Sequence, residues 1–243
     1  MRNDIICIIQ ARMDSSRLPA KVVAPIAGNP LLYYVIKRVS LSRLEKIVVA
    51  TTEMPVDNIV GFVSQACKVD CFHGDESDVL SRFVQATKLY NASAVIRITA
   101  DCPLIDPGVI NKIMDIYEEY PGSDYIFIEG YPRGLGDVEF ISNSALKKCF
   151  RDTGKDQTYY REHVMTYITE NPDKFNIRIE KSPMKERRDY RLCVDELDDL
   201  KVVRDIYNHF LPRMDFNSED IISFLDENPE IAEINRHVKQ KTG

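Results

Sequence analysis

Short apolar runs alternate along the chain with longer segments in which apolar residues recur every three or four positions. The short runs are typical of buried strands, and the longer segments are typical of amphipathic helices. Strands that are apolar almost throughout indicate a parallel sheet covered by helices on both faces. In the first half this pattern predicts strands over 5–9, 46–52, 69–74 and 94–101, and helices over 30–40, 56–67 and 77–90.

The second half of the chain has a less regular pattern. No linker rich in glycine, proline or serine divides it from the first half, so we expect one domain over residues 1–243. The predicted elements are strands over 124–130, 137–142, 176–181 and 190–195, helices over 144–151 and 157–170, and a mostly helical tail from Glu196.

Composition excludes several classes of protein. Hydrophobic residues make up 44% of the chain and charged residues 29%, as in ordinary globular proteins. No apolar run reaches the length of about eighteen residues that a membrane helix needs, and the N-terminus lacks the pattern of a signal peptide, so we expect a cytoplasmic protein. With 32 basic and 38 acidic residues the net charge is −6, which argues against nucleic acid as a partner.

The six cysteines are spread along the chain. Cys67 and Cys71 are four positions apart, but neither a second such pair nor a histidine cluster accompanies them, so we do not expect a zinc site. Buried, reduced thiols are the better interpretation.

Positive charge is concentrated directly after the first predicted strand. The segment QARMDSSRLPAK contains Arg12, Arg17 and Lys21 together with two serines, but no glycine. Ligands of open parallel sheets bind at the carboxyl ends of the strands, and these cations suit a polyphosphate. A solvated loop whose charges pair with acidic neighbours explains the composition equally well. The segment matches neither the P-loop nor the G-x-G-x-x-G dinucleotide motif.

Two aspartates also follow predicted strands. Asp101 is followed by Cys102 and Pro103, where the proline prevents the strand from continuing, and Asp195 ends the strand predicted over 190–195. Proteins commonly hold Mg²⁺ with one or two carboxylates and the phosphates of a substrate. Each aspartate alone is also typical of a turn or a helix N-cap. Together with the cationic loop, the two favour a site for a metal and a polyphosphate.

Five motifs in this order resemble those of the spore-coat-polysaccharide-type cytidylyltransferases: IIQARMDSSRLPAK, HGDESDVLSRF, RITADCPLIDP, YREHV and YRLCVDELDDL. The chain is more distantly similar to the CMP-sialate and CMP-3-deoxy-manno-octulosonate synthetases. The resemblance implies an α/β, Rossmann-like (GT-A-type) nucleotidyltransferase fold, with a mostly parallel sheet between helices. Within the domain it implies a nucleotide-binding half (1–120), an acceptor and dimerisation region (121–195) and C-terminal helices (196–243).

The resemblance also implies a reaction and the residues that perform it. CTP and an acceptor would give a CMP-linked product and pyrophosphate, with Mg²⁺ held by Asp101 and Asp195, and with catalysis by Arg12, Arg17 and Lys21. The residues implied beside the nucleotide are Ala11, Arg12, Ser15, Ser16, Arg17, Lys21, Asp75, Asp78, Arg82 and Asp101. The residues implied beside the acceptor are Glu139, Arg161, Glu162 and His163.

The acceptor stays open between an acidic sugar and a phosphate or phosphonate. A phosphate oxygen is already ionised, whereas a sugar hydroxyl needs a base. His163 is a conceivable base, although a histidine in an amphipathic helix is more often a structural hydrogen-bonding group. The resemblance further implies a homodimer and a role in surface polysaccharide or glycoconjugate precursor synthesis.

Three other functions remain open: a GT-A-type glycosyltransferase that uses a nucleotide-sugar, a nucleotidyltransferase that uses another NTP, and a nucleotide-binding protein without catalysis. Similar folds serve several of these functions. A GT-A-type glycosyltransferase typically has a D-x-D motif after a strand in mid-chain, where this chain has Asp101, Cys102 and Pro103.

Two loop residues depart from the family pattern. Ala20 stands where relatives often have glycine, and Asp14 stands where they have glycine or a small polar residue. Alanine at position 20 either keeps φ negative or carries a strain cost. Asp14 brings a negative charge toward a site for a polyanion, although aspartate suits turns.

Overall fold

The strands form one seven-stranded sheet and a separate two-stranded ribbon in the computed structural model, which describes residues 4–184 and 189–240. The strands are β1 (Ile5–Gln10), β2 (Pro25–Ile26), β3 (Asn29–Pro30), β4 (Lys46–Thr52), β5 (Asp70–Gly74), β6 (Ala94–Thr99), β7 (Tyr125–Glu129), β8 (Glu139–Ser142) and β9 (Ile177–Lys181). The helices are α1 (Leu31–Val39), α2 (Asn58–Ala66), α3 (Val79–Leu89), α4 (Pro107–Glu119), α5 (Asn143–Asp152), α6 (Thr158–Glu162), α7 (Thr166–Glu170), α8 (Leu197–Phe210), α9 (Ser218–Glu227) and α10 (Pro229–Glu233).

The sheet is mostly parallel and has the order β5-β4-β1-β6-β8-β7-β9. Only β8 runs against its neighbours, pairing antiparallel with β6 and with β7. β1 lies between β4 and β6, so the chain leaves it toward one side of the sheet and later returns to its other side. This reversal of strand order opens a crevice at the carboxyl ends of β1 and β6, which is where ligands of such sheets bind.

The central strand is covered on both faces because successive side chains point in opposite directions. Cys7 and Ile9 belong to one buried apolar cluster with residues of α1, α4 and α8. Ile6 and Ile8 belong to a second cluster with residues of α3 and α5. This arrangement confirms the predicted α/β fold with helices on both sides of a mostly parallel sheet.

The predicted strand over residues 190–195 is wrong. The segment forms only an isolated bridge, between Arg191 and Arg133. Its backbone instead crosses the loops that follow other strands: Leu192 N–H donates to Arg133 O at 2.9 Å, and Val194 N–H donates to Asp101 O at 2.7 Å. The segment resembles a strand in sequence because it contains alternating apolar residues. Its backbone hydrogen bonds, however, are made with these loops and not with a neighbouring strand of the sheet.

Other departures are smaller. The helix predicted over 157–170 is two short helices, α6 and α7, because the backbone leaves the helical conformation at His163 (φ −101°, ψ 80°). The sequence interpretation did not predict α4 or the β2–β3 ribbon, whose tight turn contains Ala27 and Gly28 at positive φ. The other predicted strands and helices are present, and the tail is helical from α8 to α10 as expected.

The C-terminal helices hold the loop that follows β6. The buried guanidinium of Arg38 donates to Ile105 O at 2.7 Å, to Met214 O at 3.0 Å and to Phe216 O at 2.9 Å. Asp106 Oδ2 accepts a hydrogen bond from Ser218 N–H at 2.8 Å. This loop contains Asp101, so these contacts fix its position. Across the described ranges, no helix is long and apolar enough to cross a membrane.

Candidate active site

The cationic loop after β1 folds back on itself. Ala20 N–H donates to Met13 O at 2.9 Å, and Met13 N–H donates to Asp57 Oδ1 at 2.6 Å. Ala20 closes the loop with φ 60° and ψ 20°, in the left-handed region. Of the two alternatives for this residue, a negative φ is therefore wrong, and the backbone at Ala20 carries the strain of a positive φ. A short 3-10 turn over Lys21–Val23 follows and directs the Lys21 side chain toward the strand ends.

Lys21 joins the two predicted metal ligands. Its Nζ lies 3.0 Å from Asp101 Oδ2 and 2.9 Å from Asp195 Oδ1, and it donates to Val194 O at 2.8 Å. Only 12% of the Lys21 side chain is exposed. Burial alone would lower the pKa of Lys21, but the charges of Asp101 and Asp195 outweigh it and raise that pKa. The loop and both aspartates therefore form one charged cluster.

Asp195 receives two further cations. Arg17 Nη2 lies 2.7 Å from Asp195 Oδ2, and Arg191 Nη2 contacts the same oxygen. Asp199 Oδ2 accepts the backbone N–H of Asp195 at 2.9 Å, which orients the segment. Burial would raise the pKa of Asp195, but Lys21 and the two guanidinium groups lower it below its ordinary value. Asp195 therefore holds its negative charge in a partly buried position.

A cleft of about 240 Å³ lies between the cationic loop and the ends of β1 and β6. It is the crevice that the strand order predicts. Its lining includes predicted nucleotide-binding residues from the loop and the strand ends: Ala11, Arg12, Ser15, Ser16, Arg17, Lys21 and Asp101.

The predicted nucleotide-binding residues near β5 are placed differently. Asp75 Oδ1 accepts the backbone N–H groups of Ser77 and Asp78, at 2.9 Å and 2.8 Å. Asp78 caps α3 by accepting Ser81 N–H at 2.8 Å, and its other oxygen pairs with Arg161 at 3.1 Å. Both aspartates therefore shape the backbone before α3, and their contact with a nucleotide stays a prediction.

Arg82 is buried with a guanidinium group that lacks hydrogen bonds. The residue is 1% exposed, and its three nitrogens find no acceptor among the described residues. Burial and the charge of nearby Arg12 lower the pKa of Arg82. A buried donor group without acceptors is costly, and the contact of Arg82 with a nucleotide stays a prediction.

A second cavity, of about 320 Å³, also borders the two aspartates. It shares Arg17, Asp101 and Asp195 with the first cleft, so the two meet at the charged cluster. Glu139, a predicted acceptor-binding residue, lines it, paired with Arg97 and accepting a hydrogen bond from the Tyr125 hydroxyl at 2.8 Å. We call this space the acceptor cavity.

Arg133 and Asp137 also line the acceptor cavity, and sequence reasoning missed them as individual residues. Both belong to the segment from Arg133 to Phe140, in which Gly134 takes a positive φ of 93°. Closely spaced glycines beside charged residues were the available signal, because such glycines mark a backbone path that other residues avoid.

The other three predicted acceptor-binding residues do not join the described lining of this cavity. Arg161 pairs with Asp78 and donates to the carbonyl of Phe150 at 3.1 Å. Glu162 Oε1 lies 3.5 Å from Arg12 Nη2, and the His163 ring packs edge-on against a tyrosine. The role of the three in acceptor binding stays a prediction.

Asp101 and Asp195 suit a hard divalent cation. In this structure their carboxylate oxygens contact the Lys21 ammonium group, at 3.0 Å and 2.9 Å, and both residues line the two cavities. In the described part of the chain, no three His, Cys, Asp or Glu side chains are grouped to hold a metal ion. Two carboxylates are the kind of donor set that proteins use for Mg²⁺, which takes its remaining ligands from phosphate oxygens and water. That Asp101 and Asp195 hold this ion stays a prediction.

Comparisons with known proteins find relatives that match almost the whole chain. The chain is 35% identical over 240 residues to an uncharacterised protein, MJ1063, of Methanocaldococcus jannaschii, covering 98% of this chain and 97% of that one. It is 32% identical to the spore coat polysaccharide biosynthesis protein SpsF of Bacillus subtilis, covering 95% and 97%. A solved cytidylyltransferase structure from Leptospira borgpetersenii superposes with a TM-score of 0.89 at 28% identity, covering 99% of both chains.

The family model described as cytidylyltransferase matches residues 6–222, which include the cationic loop, Asp101 and Asp195. The strand order, the charged cluster and this match lead to one conclusion. The chain belongs to the cytidylyltransferase family, and it is a CTP-dependent nucleotidyltransferase.

Proposed function

We propose that this protein transfers CMP from CTP to a small acidic acceptor with release of pyrophosphate. The acceptor class is an acidic sugar or a phosphate or phosphonate, and the product would be a precursor of a surface polysaccharide or glycoconjugate. The observation that carries the proposal is the contact of Lys21 with Asp101 and Asp195 at the junction of two cavities. The similarity to SpsF supports the polysaccharide context. We expect the enzyme to act in the cytoplasm.

The two cavities allow the donor and the acceptor to lie beside the same two aspartates. The cleft beside the cationic loop offers Arg12, Arg17 and Lys21 to a triphosphate. The acceptor cavity is lined by the same two aspartates. We infer that an acceptor oxygen attacks the α-phosphorus in line with the bond to the leaving pyrophosphate.

The chain's own cations would stabilise the charge that develops on the phosphoryl oxygens. Arg12 and Arg17 offer forked donors, and Lys21 offers a mobile ammonium group. Mg²⁺ held by Asp101 and Asp195, when bound, would add charge neutralisation at the phosphates. Because these groups are already positioned, little reorganisation is needed during the reaction.

Arg82 lies beside the end of β5, where a Cβ on Gly74 would be 2.8 Å from Arg82 Cγ. Its buried guanidinium has three nitrogens without acceptors among the described residues, and it lies close enough to Arg12 for the two charges to interact. We assign these donors to acceptors on the nucleotide. Loss of Arg82 would then weaken the binding of the nucleotide more than the binding of the acceptor.

The test is an assay of pyrophosphate release with four NTPs and Mg²⁺, each combined with acidic sugars and with phosphate esters. We expect release with CTP and one acceptor class, and its loss when EDTA removes the metal. Free nucleoside diphosphate from a nucleotide-sugar would instead establish a glycosyltransferase. CTP binding without pyrophosphate release from any acceptor would establish a non-catalytic nucleotide-binding protein.

A further inference from the structure

Asp137 brings a third carboxylate to the acceptor cavity, beside the two predicted metal ligands. The sulfur of Cys102 lies 3.6 Å from Asp101 Oδ1 and 3.8 Å from Asp137 Oδ2. One atom therefore contacts both carboxylates, which places Asp137 next to the charged cluster. An acceptor that approaches the α-phosphorus through this cavity passes the Asp137 side chain.

The Asp137 carboxylate is held by its own loop. Its Oδ2 accepts Gly134 N–H at 2.6 Å. Gly134 has a φ of 93°, and a Cβ at this position would lie 2.3 Å from the carbonyl carbon of Leu192. The loop therefore packs so closely that its path is fixed. No described residue donates a hydrogen bond to the other oxygen, Oδ1 of Asp137.

The other carboxylates of the acceptor cavity already have cationic partners. Asp101 contacts Lys21, and Asp195 contacts Lys21, Arg17 and Arg191. Glu139 is paired with an arginine and with a tyrosine hydroxyl. Within the described lining, Asp137 is the carboxylate that forms no ion pair with a described residue. It is therefore available to a ligand.

The surroundings of Asp137 favour a group that can take up a proton. Burial raises the pKa of Asp137, and the charges of Asp101 and Glu139 raise it further, while the Gly134 amide and Arg133 act in the opposite direction. The thiols of Cys102 and Cys193 face it from neighbouring segments. A carboxylate with a raised pKa is a better general base than an ordinary one.

We propose that Asp137 is the general base for the acceptor, and that the acceptor therefore reacts through a hydroxyl group. This inference rests on the proposed function and narrows its acceptor class. Asp137 takes the hydroxyl proton as that O–H bond breaks, and the oxygen's electron pair forms the new bond to the α-phosphorus. The bond between the α-phosphorus and its bridging oxygen breaks, and its electron pair leaves with pyrophosphate. Asp137 then releases the proton to water.

A hydroxyl acceptor gives the Asp137 carboxylate in the acceptor cavity a role, whereas an ionised acceptor does not. A phosphate or phosphonate oxygen already carries the negative charge that attacks phosphorus, so it needs no base. A carboxylate beside that attacking oxygen would repel its negative charge, whereas an acidic sugar attacks through an uncharged hydroxyl. A sugar hydroxyl instead needs a proton acceptor, and His163 is absent from the described lining of the acceptor cavity.

The test compares two substitutions of Asp137 with the wild-type enzyme. Asp137→Asn keeps an oxygen that can accept the Gly134 N–H, but this amide cannot take up a proton. Asp137→Ala leaves room for formate as an external base. The assay measures pyrophosphate release from CTP in the presence of Mg²⁺, with sialate or 3-deoxy-manno-octulosonate as the hydroxyl acceptor, and with methylphosphonate, which has no alcohol hydroxyl, as the ionised acceptor.

We expect Asp137→Asn to lower kcat with the hydroxyl acceptor about 100-fold or more, with the KM for CTP within about threefold of wild type. Formate should restore part of the activity of Asp137→Ala, and sodium chloride at equal ionic strength should not. The exposed Asp115 gives a control, Asp115→Asn, which should match wild type.

Three results would overturn the inference in an active enzyme: near-wild-type kcat in Asp137→Asn, absence of formate rescue, or turnover with the ionised acceptor alone. If the wild-type enzyme releases no pyrophosphate from CTP with any acceptor, the proposed function itself fails, and the inference fails with it. The wild-type assay therefore separates the two failures.

Discussion

Lys21 shows how a single side chain links the parts of the site. Its ammonium group lies between two carboxylates, and only 12% of the side chain is exposed. A buried charge is tolerated when opposite charges and hydrogen bonds compensate its desolvation. Lys21 meets this condition through Asp101, Asp195 and the Val194 carbonyl.

Replacing Lys21 with alanine should lower both kcat and the affinity for CTP. The variant loses a cation beside the triphosphate, and losing one such group costs about 2 to 4 kcal/mol of transition-state stabilisation. Steady-state kinetics with CTP as the varied substrate measures both effects. Lys46→Ala is the control, because Lys46 forms an exposed ion pair with Asp70. Unchanged kinetics in Lys21→Ala would show that the loop connects two elements without binding the triphosphate.

Replacing Asp101 with asparagine should reduce turnover that depends on Mg²⁺. The amide keeps the shape of the side chain but lacks the negative charge that a hard cation prefers. Activity measured over a range of Mg²⁺ concentrations should show a lower maximum and a higher half-saturating concentration. If Asp101→Asn behaves as wild type at every concentration, the assignment of this residue to the metal is wrong.

At the scale of elements, the loop after β1 depends on the backbone conformation at Ala20. Its φ of 60° is unusual for a residue with a Cβ, and this conformation costs about 1 to 2 kcal/mol relative to glycine. The hydrogen bond from Ala20 to Met13 closes the loop. The strain is therefore located where the cations of the loop are positioned.

Ala20→Val should lower the free energy of unfolding by about 1 to 3 kcal/mol, because a β-branched side chain is poorly tolerated at positive φ. It should also raise the KM for CTP, because the loop shifts. Ala27→Val is the matched control: Ala27 also has a positive φ, of 42°, but it lies in the exposed turn of the β2–β3 ribbon. Urea unfolding and CTP kinetics are the measurements, and equal KM values in both variants would contradict the prediction.

At the scale of the whole molecule, the C-terminal helices support the loop that carries Asp101. Arg38 is fully buried and donates to three carbonyl groups, of which one lies in that loop and two lie between α8 and α9. The Tyr207 hydroxyl also donates to Pro103 O. These hydrogen bonds join α1, α8 and the segment between α8 and α9 to the loop after β6 that contains Asp101.

Arg38→Met should lower the free energy of unfolding by about 3 kcal/mol or more, because three buried carbonyl oxygens lose their donor. Arg43→Met provides the comparison, because Arg43 pairs with Asp115 at the surface, where an ion pair contributes about 0 to 1 kcal/mol. Urea titrations of both variants give the two values. Equal stabilities would show that Arg38 does not join the helices to the loop.

The homodimer stays a prediction that light scattering can test. β9 is an edge strand of the mixed region, and its Ile179 is 55% exposed. An exposed apolar edge is suited to association with a second chain. We expect a mass of twice 27.9 kDa for the wild type and a larger monomer fraction for Ile179→Lys. A wild-type monomer at working concentrations would refute the prediction.

The sequence by itself determined the alternation of strands and helices and the chemistry of the strand ends. Periodicity is local, so apolar runs predicted β1, β4 and β6 directly. Arg12, Arg17 and Lys21 fall within ten consecutive residues, and their concentration was therefore visible without a structure.

Only the tertiary structure decided which distant residues meet. Lys21 contacts Asp101 and Asp195, which lie 80 and 174 positions away, because the order of the strands brings their ends together. Asp137 joins them through Cys102, and residues 190–195 cross the strand ends although they resemble a strand. Local patterns specify which segments are buried, whereas sheet order and loop paths, set by packing across the molecule, specify which side chains share a cavity.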